Sequence, residues 1–265
     1  MKPWLDIYRE FLKTSLALQF QYRVGMAIWM IDVILEPLIY LVVWQAAASG
    51  DTISGYDARG FAGYFIVLLI VNHFTETWMM WEYDYIIRTG QLSQYLLRPL
   101  HPLHRDISSN VTYKLFMLIV VIPTIIVMIL IFRPTIHPPL WAVPAMVPAV
   151  ILAGLLTFFT GWIVAMAAFW TIRINAINQM YFLIMLFFSG RIAPLEVLPD
   201  ALRTIANLLP FRWAIAFPVE LFIGRLSPRQ ATSGFAVQIL WIAICYLLTE
   251  FVWRVSIRRY GAVGG

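Results

Sequence analysis

The sequence predicts an all-α integral membrane protein with an N-terminal amphipathic surface helix, six transmembrane helices and a broken re-entrant hairpin before the sixth. Of its 265 residues, 61% are hydrophobic and only 12% are charged, whereas soluble domains have about 45–50% apolar and about 25% charged residues. Such a chain cannot cover a surface that faces water. Its apolar residues also form runs of about 20, the length that a helix needs to cross a bilayer. Lipid must therefore surround most of the chain.

The N-terminal region predicts a helix that lies on the membrane surface. Trp4, Tyr8, Phe11 and Leu12 recur at helical spacing, and charged residues occupy the rest of the helical wheel. This pattern is typical of an amphipathic helix in the membrane interface. A soluble helix packed against a partner is the alternative.

Six transmembrane helices follow from the apolar runs that are long enough to cross the bilayer. The fourth run is long enough to tilt or to extend past the bilayer. The fifth begins with polar residues, which must face protein or a wet cavity. The predicted spans are residues 24–48, 61–81, 107–132, 141–170, 171–190 and 234–253.

Residues 191–233 predict a hairpin of two short helices that enters the membrane from the outer face. The region is apolar, but prolines at positions 194, 199, 210 and 218 exclude one continuous helix. Pro199 followed by Asp200 is typical of a helix start, and Pro210 is expected to end that helix. Such irregular backbone is tolerated at membrane depth only where protein covers it.

No linker or low-complexity stretch divides the chain, so residues 1–265 are predicted to form one domain. Its parts are a surface helix (1–23), spans 1–5 (24–190), the outer hairpin (191–233), span 6 (234–253) and a cytoplasmic tail (254–265). With the N-terminus inside, twelve of the 19 Lys and Arg residues face the cytoplasm. Because cytoplasmic loops carry the excess of basic residues, both termini are expected to be cytoplasmic.

Signatures of enzymatic chemistry are absent from the sequence. A protein that hydrolysed ATP by itself would need G-x-x-x-x-G-K-[ST], and Lys2, Lys13 and Lys114 lack the glycines of that motif. No serine lies in G-x-S-x-G and no histidine in H-E-x-x-H. No residues indicate a metal site, and the scattered basic residues do not form a nucleic-acid-binding stripe. We therefore expect a non-catalytic membrane protein.

Polar residues inside the first two spans predict a functional or structural cluster. Asp32 and Glu36 lie four residues apart on one helix face, and Asn72, His73 and Glu76 lie at similar depth. A carboxylate at the bilayer centre costs roughly 2.5–3.5 kcal/mol on insertion scales, so these groups must pair or meet water. They predict either a cavity that senses substrate or protons, or ion pairs that fix the packing of the spans. The cations near enough in depth are Arg23, Arg88, Arg98 and Arg173.

The fifth and fourth predicted spans each have residues of one kind along one helix face. Asn175, Asn178 and Gln179 share one face of the fifth span, which is expected to point to the bundle interior or to a second subunit. The fourth span has a small residue at every fourth position, which lets another helix approach closely. These small residues are Ala153, Thr157, Gly161 and Ala165.

The connection between the second and third spans, residues 86–105, predicts a short cytoplasmic helix. Gly90 breaks the helix that leaves the membrane, and Pro99 ends the short helix, because the residue before proline disfavours the α conformation. An apolar face with a basic rim suits insertion into a groove of a soluble partner, and packing on lipid headgroups is the alternative. The face consists of Leu92, Tyr95, Leu96 and Leu100, and the rim of Arg88, Arg98 and Arg105.

Three stretches of the chain resemble permeases of the ABC-2 family, specifically the six-span branch that is encoded beside an ABC ATPase. The most specific stretch has Ile87, Arg88, Gly90, Leu92, Leu96, Leu97, Arg98, Pro99 and Leu100. The C-terminal Arg258, Arg259, Tyr260 and Gly261 are similar to the tail of that branch. So is the series Ser189, Gly190, Pro194, Leu198, Pro199, Leu209 and Pro210.

The resemblance implies the fold and partners of a type II ABC exporter in the bacterial cytoplasmic (inner) membrane. Two permease subunits, identical or related, would enclose one pathway in the lipid, and each would dock a coupling helix on one of two ABC ATPase subunits. ATP and Mg²⁺ would be used by the ATPase, with no cofactor bound by this chain and no nucleic acid. The implied ATPase-coupling residues are Arg88, Gly90, Leu92, Tyr95, Leu96, Leu97, Arg98, Pro99 and Leu100.

The expected cargo is a hydrophobic or amphipathic compound, because no dense charge cluster marks an ion pore. A lipid-linked glycan exporter is the alternative within transport, and aromatic residues lining the spans would favour it. The available tryptophans are Trp29, Trp44, Trp78, Trp81, Trp162 and Trp170. A membrane scaffold or sensor subunit that transports nothing is the alternative from another class.

Overall fold

The computed structural model describes residues 2–21, 23–171 and 174–260, and the side chains within them except those of residues 2–5, 23–30, 32 and 33. The described residues are helical and contain no strands, which confirms the all-α class. The helices are α1 (Lys2–Gln21), α2 (Arg23–Ala47), α3 (Ala58–Thr75), α4 (Met79–Arg88), α5 (Leu92–Leu96), α6 (Pro102–Phe132), α7 (Ala142–Ala165), α8 (Ile174–Phe188), α9 (Asp200–Leu208), α10 (Pro210–Ala214), α11 (Ala216–Phe222) and α12 (Pro228–Ile257). A 3-10 turn at Met166–Phe169 prolongs α7, and another at Leu195–Val197 precedes α9.

Four helical stretches of the described residues are long and apolar enough to cross a membrane. They are Ala58–Arg88, Pro102–Phe132, Ala142–Phe169 and Pro228–Ile257. They contain predicted spans 2, 3 and 6, and all of predicted span 4 except its first and last residues. Predicted spans 1 and 5 correspond to α2 and α8, whose described apolar parts, Ile34–Ala47 and Ile174–Phe188, are shorter. The exact arrangement of six spans therefore stays a prediction.

Contacts between loops define two ends of the helix bundle. At one end, called the α5 end, Tyr260 after α12 contacts Gly90 before α5. At the other, called the α9 end, Arg225 after α11 donates to the carbonyl oxygen of Gly55 before α3, and Trp44 near the end of α2 donates to the backbone beyond α8. The long helices therefore alternate in direction along the chain.

The second predicted span is interrupted, and α3 and α4 are separate helices. Thr75 ends α3 with its hydroxyl bonded back to the carbonyl oxygen of Val71 at 2.8 Å, and Glu76 is extended. The small residues of α7 make room for this break: a Cβ on Gly161 would lie 2.7 Å from Oγ1 of Thr77. The small-residue stripe thus admits an irregular turn as well as a neighbouring helix.

The predicted N-terminal helix is present as α1, and it runs alongside the polar first half of α6. Tyr8 bonds the Nδ1 atom of His104 at 2.7 Å, and the rings of Phe20 and Phe116 lie 5.3 Å apart. Tyr8 and Phe20 are twelve residues apart in α1, and their partners His104 and Phe116 are twelve residues apart in α6. The two helices therefore run parallel. The position of α1 relative to the bilayer stays a prediction.

The region before α12, which the sequence predicts to lie on the outer side, contains three short helices, α9 to α11, instead of the two expected. Pro199 immediately precedes α9, as the sequence predicts. Pro210 begins α10 as well as ending α9, because its fixed backbone angle suits the first position of a helix. Each of these helices is too short to cross a bilayer.

Candidate functional site

The connection between α4 and α6, residues 89–101, is called the coupling segment and contains α5. Gly90 opens it with φ +72°, a left-handed conformation that favours glycine. The Gly90 carbonyl oxygen accepts a hydrogen bond from the Tyr260 hydroxyl at 3.1 Å. The same hydroxyl accepts one from the backbone N–H of Ser93 at 3.2 Å. The residue after α12 therefore fixes the first turn of α5.

The apolar face of α5 was expected to project towards a partner, and the structure corrects this expectation. Leu92 has no exposed surface, and Tyr95 and Leu96 are half-buried against the same core cluster. The physical reason is that α4, the end of α7 and the end of α12 leave apolar side chains here, among them Trp162 and Trp253, and α5 covers them.

The outward side of the coupling segment consists of different residues. Leu97 is 86% exposed, and among the large hydrophobic side chains of the described chain only Leu140 is more exposed. Arg98 and Pro99 beside it are also exposed, while Leu100 is half-buried. The surface available to a partner is therefore residues 97–99, an apolar side chain next to a positive charge.

The basic rim is divided between solvent and the interior. Arg88 is exposed and pairs with Asp84 at 2.8 Å. Arg105 instead lies 4.3 Å above the centre of the Tyr95 ring and pairs with Glu82 and Asp106. Its buried charge is thus compensated by two carboxylates, and it fixes α5 to α4 and α6 instead of facing a partner.

A buried carboxylate extends this network to α7. The Oδ2 atom of Asp106 accepts hydrogen bonds from the Tyr83 hydroxyl at 2.7 Å and from Nε1 of Trp162 at 3.1 Å. Because α4, α6 and α7 each contribute one partner, the helices beneath the coupling segment form a connected unit. Buried polar groups that are fully bonded in this way fix one arrangement of their helices.

A second candidate site is a cavity of about 410 Å³ beside the break between α3 and α4. Its walls combine aromatic and apolar side chains with a few polar groups, as is typical of sites for small molecules. The polar lining includes Asn72, Glu76, Thr157, Tyr181 and Arg191.

Arg191 brings a positive charge into this cavity. It is 9% exposed, and its Nη2 atom donates to Oε2 of Glu36 on α2 at 3.0 Å. The guanidinium also lies 5.5 Å from the centre of the Phe182 ring on α8. The backbone of the preceding residue, Gly190, is held by the Tyr64 hydroxyl, which donates a hydrogen bond to the Gly190 carbonyl oxygen at 2.8 Å.

The structure brings together some of the predicted intramembrane residues. Asn72 and Glu76 line the cavity, and Glu36 reaches it through Arg191. His73 faces α6 instead, where its Nε2 atom lies 2.9 Å from the carbonyl oxygen of Lys114. The side chain of Asp32 lies outside the described residues. Glu36 pairs with Arg191, which is not among the four cations that the sequence indicated. Of those four, Arg173 and the side chain of Arg23 lie outside the described residues.

The polar face of the fifth predicted span is divided between two environments. Asn178 is fully buried and donates to the carbonyl oxygen of Met80 at 3.2 Å. Asn175 and Gln179 are exposed on α8. The interior position expected for this face thus holds for one residue of the three.

Comparison with known families identifies the chain. A family model described as ABC-2 family transporter protein matches residues 30–264. The chain belongs to the ABC-2 transporter family. No curated protein and no solved structure matches the chain.

Membership of the ABC-2 family, with four helices long enough to span, makes this chain a multi-pass membrane protein. The family generally provides the non-catalytic membrane component and implies association with an ABC ATPase. The matched range includes both the coupling segment and the cavity.

Two contacts within the candidate sites of this ABC-2 protein were missed by sequence reasoning. Tyr260 and Gly90 both lie in stretches that resemble the family, but nothing in either stretch indicates that they meet. Arg191 follows a serine and a glycine at the end of the fifth predicted span, which was a signal for a fixed turn. The rule for basic residues assigned it to the outer side without a partner.

Proposed function

We propose that this ABC-2 protein is the permease subunit of an ATP-driven exporter, which moves a hydrophobic or amphipathic compound across the bacterial cytoplasmic membrane. The observation that carries the proposal is the position of α4. Met80 and Trp81 in its first turn line the cavity, and its last residue, Arg88, leads into the coupling segment. A helix of 10 residues is about 15 Å long, so a movement of the coupling segment would be delivered directly to the cavity wall.

The ATPase is proposed to dock on residues 97–99 at the α5 end. Leu97 offers an apolar anchor and Arg98 a rim charge, the combination found where a buried contact is surrounded by polar ones. Two ATPase subunits would serve one complex and would use ATP and Mg²⁺ themselves, with no cofactor bound by this chain. This arrangement places the α5 end and both termini in the cytoplasm, and the basic residues Arg254, Arg258 and Arg259 near the end of α12 support it.

A second permease subunit, the same or a related chain, is proposed to pack against α8. Asn175 and Gln179 are exposed there beside Phe182 and Leu183, whose side chains are also exposed. Polar side chains that face hydrocarbon are costly, and contact with another helix would satisfy them. The pathway would then lie between the two subunits, with the cavity on its wall.

A glycan exporter is less well supported than an exporter of amphipathic compounds. Among the tryptophans whose side chains are described, Trp81 lines the cavity, whereas Trp162 is buried in the core beneath α5. Trp44 donates its ring N–H to the carbonyl oxygen of Ile192 at 2.7 Å, which is a structural contact. These side chains do not form a continuous aromatic path.

The experiment that tests the proposal is reconstitution of the chain with its partner ABC ATPase. Proteoliposomes would be given ATP and a panel of fluorescent amphiphiles, and the movement of each would be followed with the intact ATPase and with an ATPase inactivated in its P-loop. We expect movement of at least one amphiphile with the intact ATPase only. A stable complex that hydrolyses ATP but moves no member of the panel would favour a scaffold or sensor subunit.

A further inference from the structure

We propose that the cavity binds an anionic amphiphile, a long apolar molecule that ends in an acidic group, with the acidic group at Arg191. This inference names the substrate class of the cavity and so rests on the proposed function. It is carried by the unpaired Nε donor of Arg191, by a second unpaired polar group in the same wall, and by the apolar surface beside them.

Arg191 has hydrogen-bonding capacity that the protein leaves unused. A guanidinium has five N–H donors, and Glu36 accepts from one of them, on Nη2. The Nε atom is buried, and within the described part of the chain it has no hydrogen-bond partner. Leaving a buried donor of a charged group unpaired is unfavourable, whereas an acidic group would accept one hydrogen bond from Nε and a second from the other N–H of Nη2 on the same edge. The Nε edge of Arg191 is therefore suited to an acidic headgroup that shares Nη2 with Glu36.

Asn72 provides a second polar group in the same wall. It is 5% exposed, and its Oδ1 atom is buried without a partner among the residues that the structure describes. A side-chain amide can both donate and accept hydrogen bonds. The Oδ1 atom of Asn72 is thus able to accept a hydrogen bond from a hydroxyl of a headgroup that Arg191 holds.

The remaining wall suits the apolar part of the ligand. Met80, Trp81, Phe182, Met185 and Ile215 line the same cavity. Trp81 and Phe182 are exposed, so the apolar wall continues to the outer surface of the bundle. A chain attached to the acidic headgroup would follow this surface.

The acidic groups near the site explain how binding would remain reversible. Glu36 is bonded to the guanidinium that the headgroup would use, and Glu76 lines the cavity from the break between α3 and α4. Like charges close to a bound anion weaken its binding. Removal of the Glu36 charge should therefore strengthen binding of an acid, which a purely structural ion pair would not do.

The test uses two fluorescent probes with the same chain, dansylaminoundecanoic acid and its neutral amide. Each would be titrated against the purified chain in nanodiscs of phosphatidylcholine. We expect the wild-type protein to bind the acid about tenfold more tightly than the amide. Arg191→Gln should bind both equally, and Arg191→Lys should restore part of the preference. Glu36→Gln should bind the acid several-fold more tightly and leave the amide unchanged.

Arg203→Gln is the matched control, because Arg203 lies on α9 at the same end of the bundle and pairs with the exposed Asp200. It should bind both probes as the wild type does. Equal affinity for acid and amide in the wild type, or a preference retained in Arg191→Gln, would overturn the proposal. Should Arg191→Gln fail to fold, Glu36→Gln decides: tighter binding of the acid supports the proposal, and unchanged or weaker binding contradicts it.

Two further comparisons complete the test. One distinguishes a membrane lipid from a separate compound as the source of the anion, and the other distinguishes failure of the anion site from failure of the exporter proposal. Phosphatidylglycerol in the nanodiscs should compete with the acid if a membrane lipid occupies the site, and should leave it bound if the site takes a separate compound; either result supports an anion site. Binding is measured without ATPase or ATP, so its failure leaves the exporter proposal standing. Selective binding without ATP-dependent movement would contradict the exporter and not the site.

Discussion

The hydroxyl of Tyr260 lies 3.1 Å from the carbonyl oxygen of Gly90 and donates a hydrogen bond to it across 170 residues of chain. Tyr260 follows α12, which packs along α7, and Gly90 opens the coupling segment. The coupling segment is therefore attached to the bundle covalently through α4 and α6, and by hydrogen bonds through Tyr260 after α12. A force applied to it by an ATPase would reach all three helices.

Removal of this hydroxyl should weaken coupling without weakening docking. Tyr260→Phe retains the ring, which lies 6.1 Å from that of Phe169. It loses the hydrogen bonds with Gly90 and Ser93, which together contribute about 1 kcal/mol net or more. We expect transport per ATP hydrolysed to fall about fivefold, while the ATPase still binds at residues 97–99. Tyr246→Phe, on the exposed side of α12, is the control. Equal transport per ATP in the two variants would contradict the role of Tyr260.

The turn that presents Arg191 should not tolerate a side chain at the preceding residue. Gly190 has φ +90°, and a Cβ there would lie 2.6 Å from the Tyr64 hydroxyl. We expect Gly190→Ala to lower the free energy of unfolding by about 2 kcal/mol or more, because backbone strain and overpacking add. Gly50→Ala separates these causes, since Gly50 has φ +125° with open space around its Cβ position. Thermal unfolding that is no more affected by Gly190→Ala than by Gly50→Ala would refute the close contact.

The stability of the protein should depend on pH through Glu220, which lies in α11 outside the four candidate spans. Burial raises the pKa of Glu220 from its ordinary 4.5 to about 7, although Arg212 acts in the opposite direction. Because the folded protein holds this proton more tightly than the unfolded chain, Glu220 contributes to the free energy of unfolding in its protonated form. That contribution is fully present below pH 4.5 and is lost as pH rises through 7.

The measurement for Glu220 is the thermal unfolding midpoint of the wild type and Glu220→Gln between pH 5 and pH 8. The wild-type midpoint should fall over this range by more than that of the variant, because glutamine does not titrate. Parallel pH profiles of the two proteins would exclude Glu220 as the titrating group.

The long helices were predictable because partition into lipid depends on local composition. Predicted spans 3 and 6 lie within α6 and α12, and predicted span 4 coincides with α7 and its 3-10 extension except for its first and last residues. The break after Thr75 was not predictable, since the space for it is provided by Gly154 and Gly161 in another helix. The local sequence pattern indicates which residues are apolar, but it does not indicate which distant part of the backbone those residues contact.

The candidate sites show the same division between local and distant causes. The helical spacing of apolar residues in α5 predicted its apolar face, but the side chains that cover Leu92 come from α4, α7 and α12. The carboxylate of Glu36 indicated that a partner or water was required, and the partner, Arg191, lies 155 residues away. Chemistry that a residue needs can be derived from the sequence, whereas the residue that supplies it depends on tertiary packing.

Docking of the ABC ATPase on residues 97–99 is tested most directly by the dissociation constant of the complex with Leu97→Asp. A carboxylate buried in the partner's groove costs about 2 kcal/mol or more, so the dissociation constant should rise about thirtyfold or more. Leu140→Asp is the matched control, because Leu140 is 92% exposed and lies in the connection between α6 and α7 at the α9 end. We expect Leu140→Asp to bind the ATPase as the wild type does, with both variants inserted in the membrane. Wild-type affinity in Leu97→Asp would contradict the docking surface and the coupling function assigned to it.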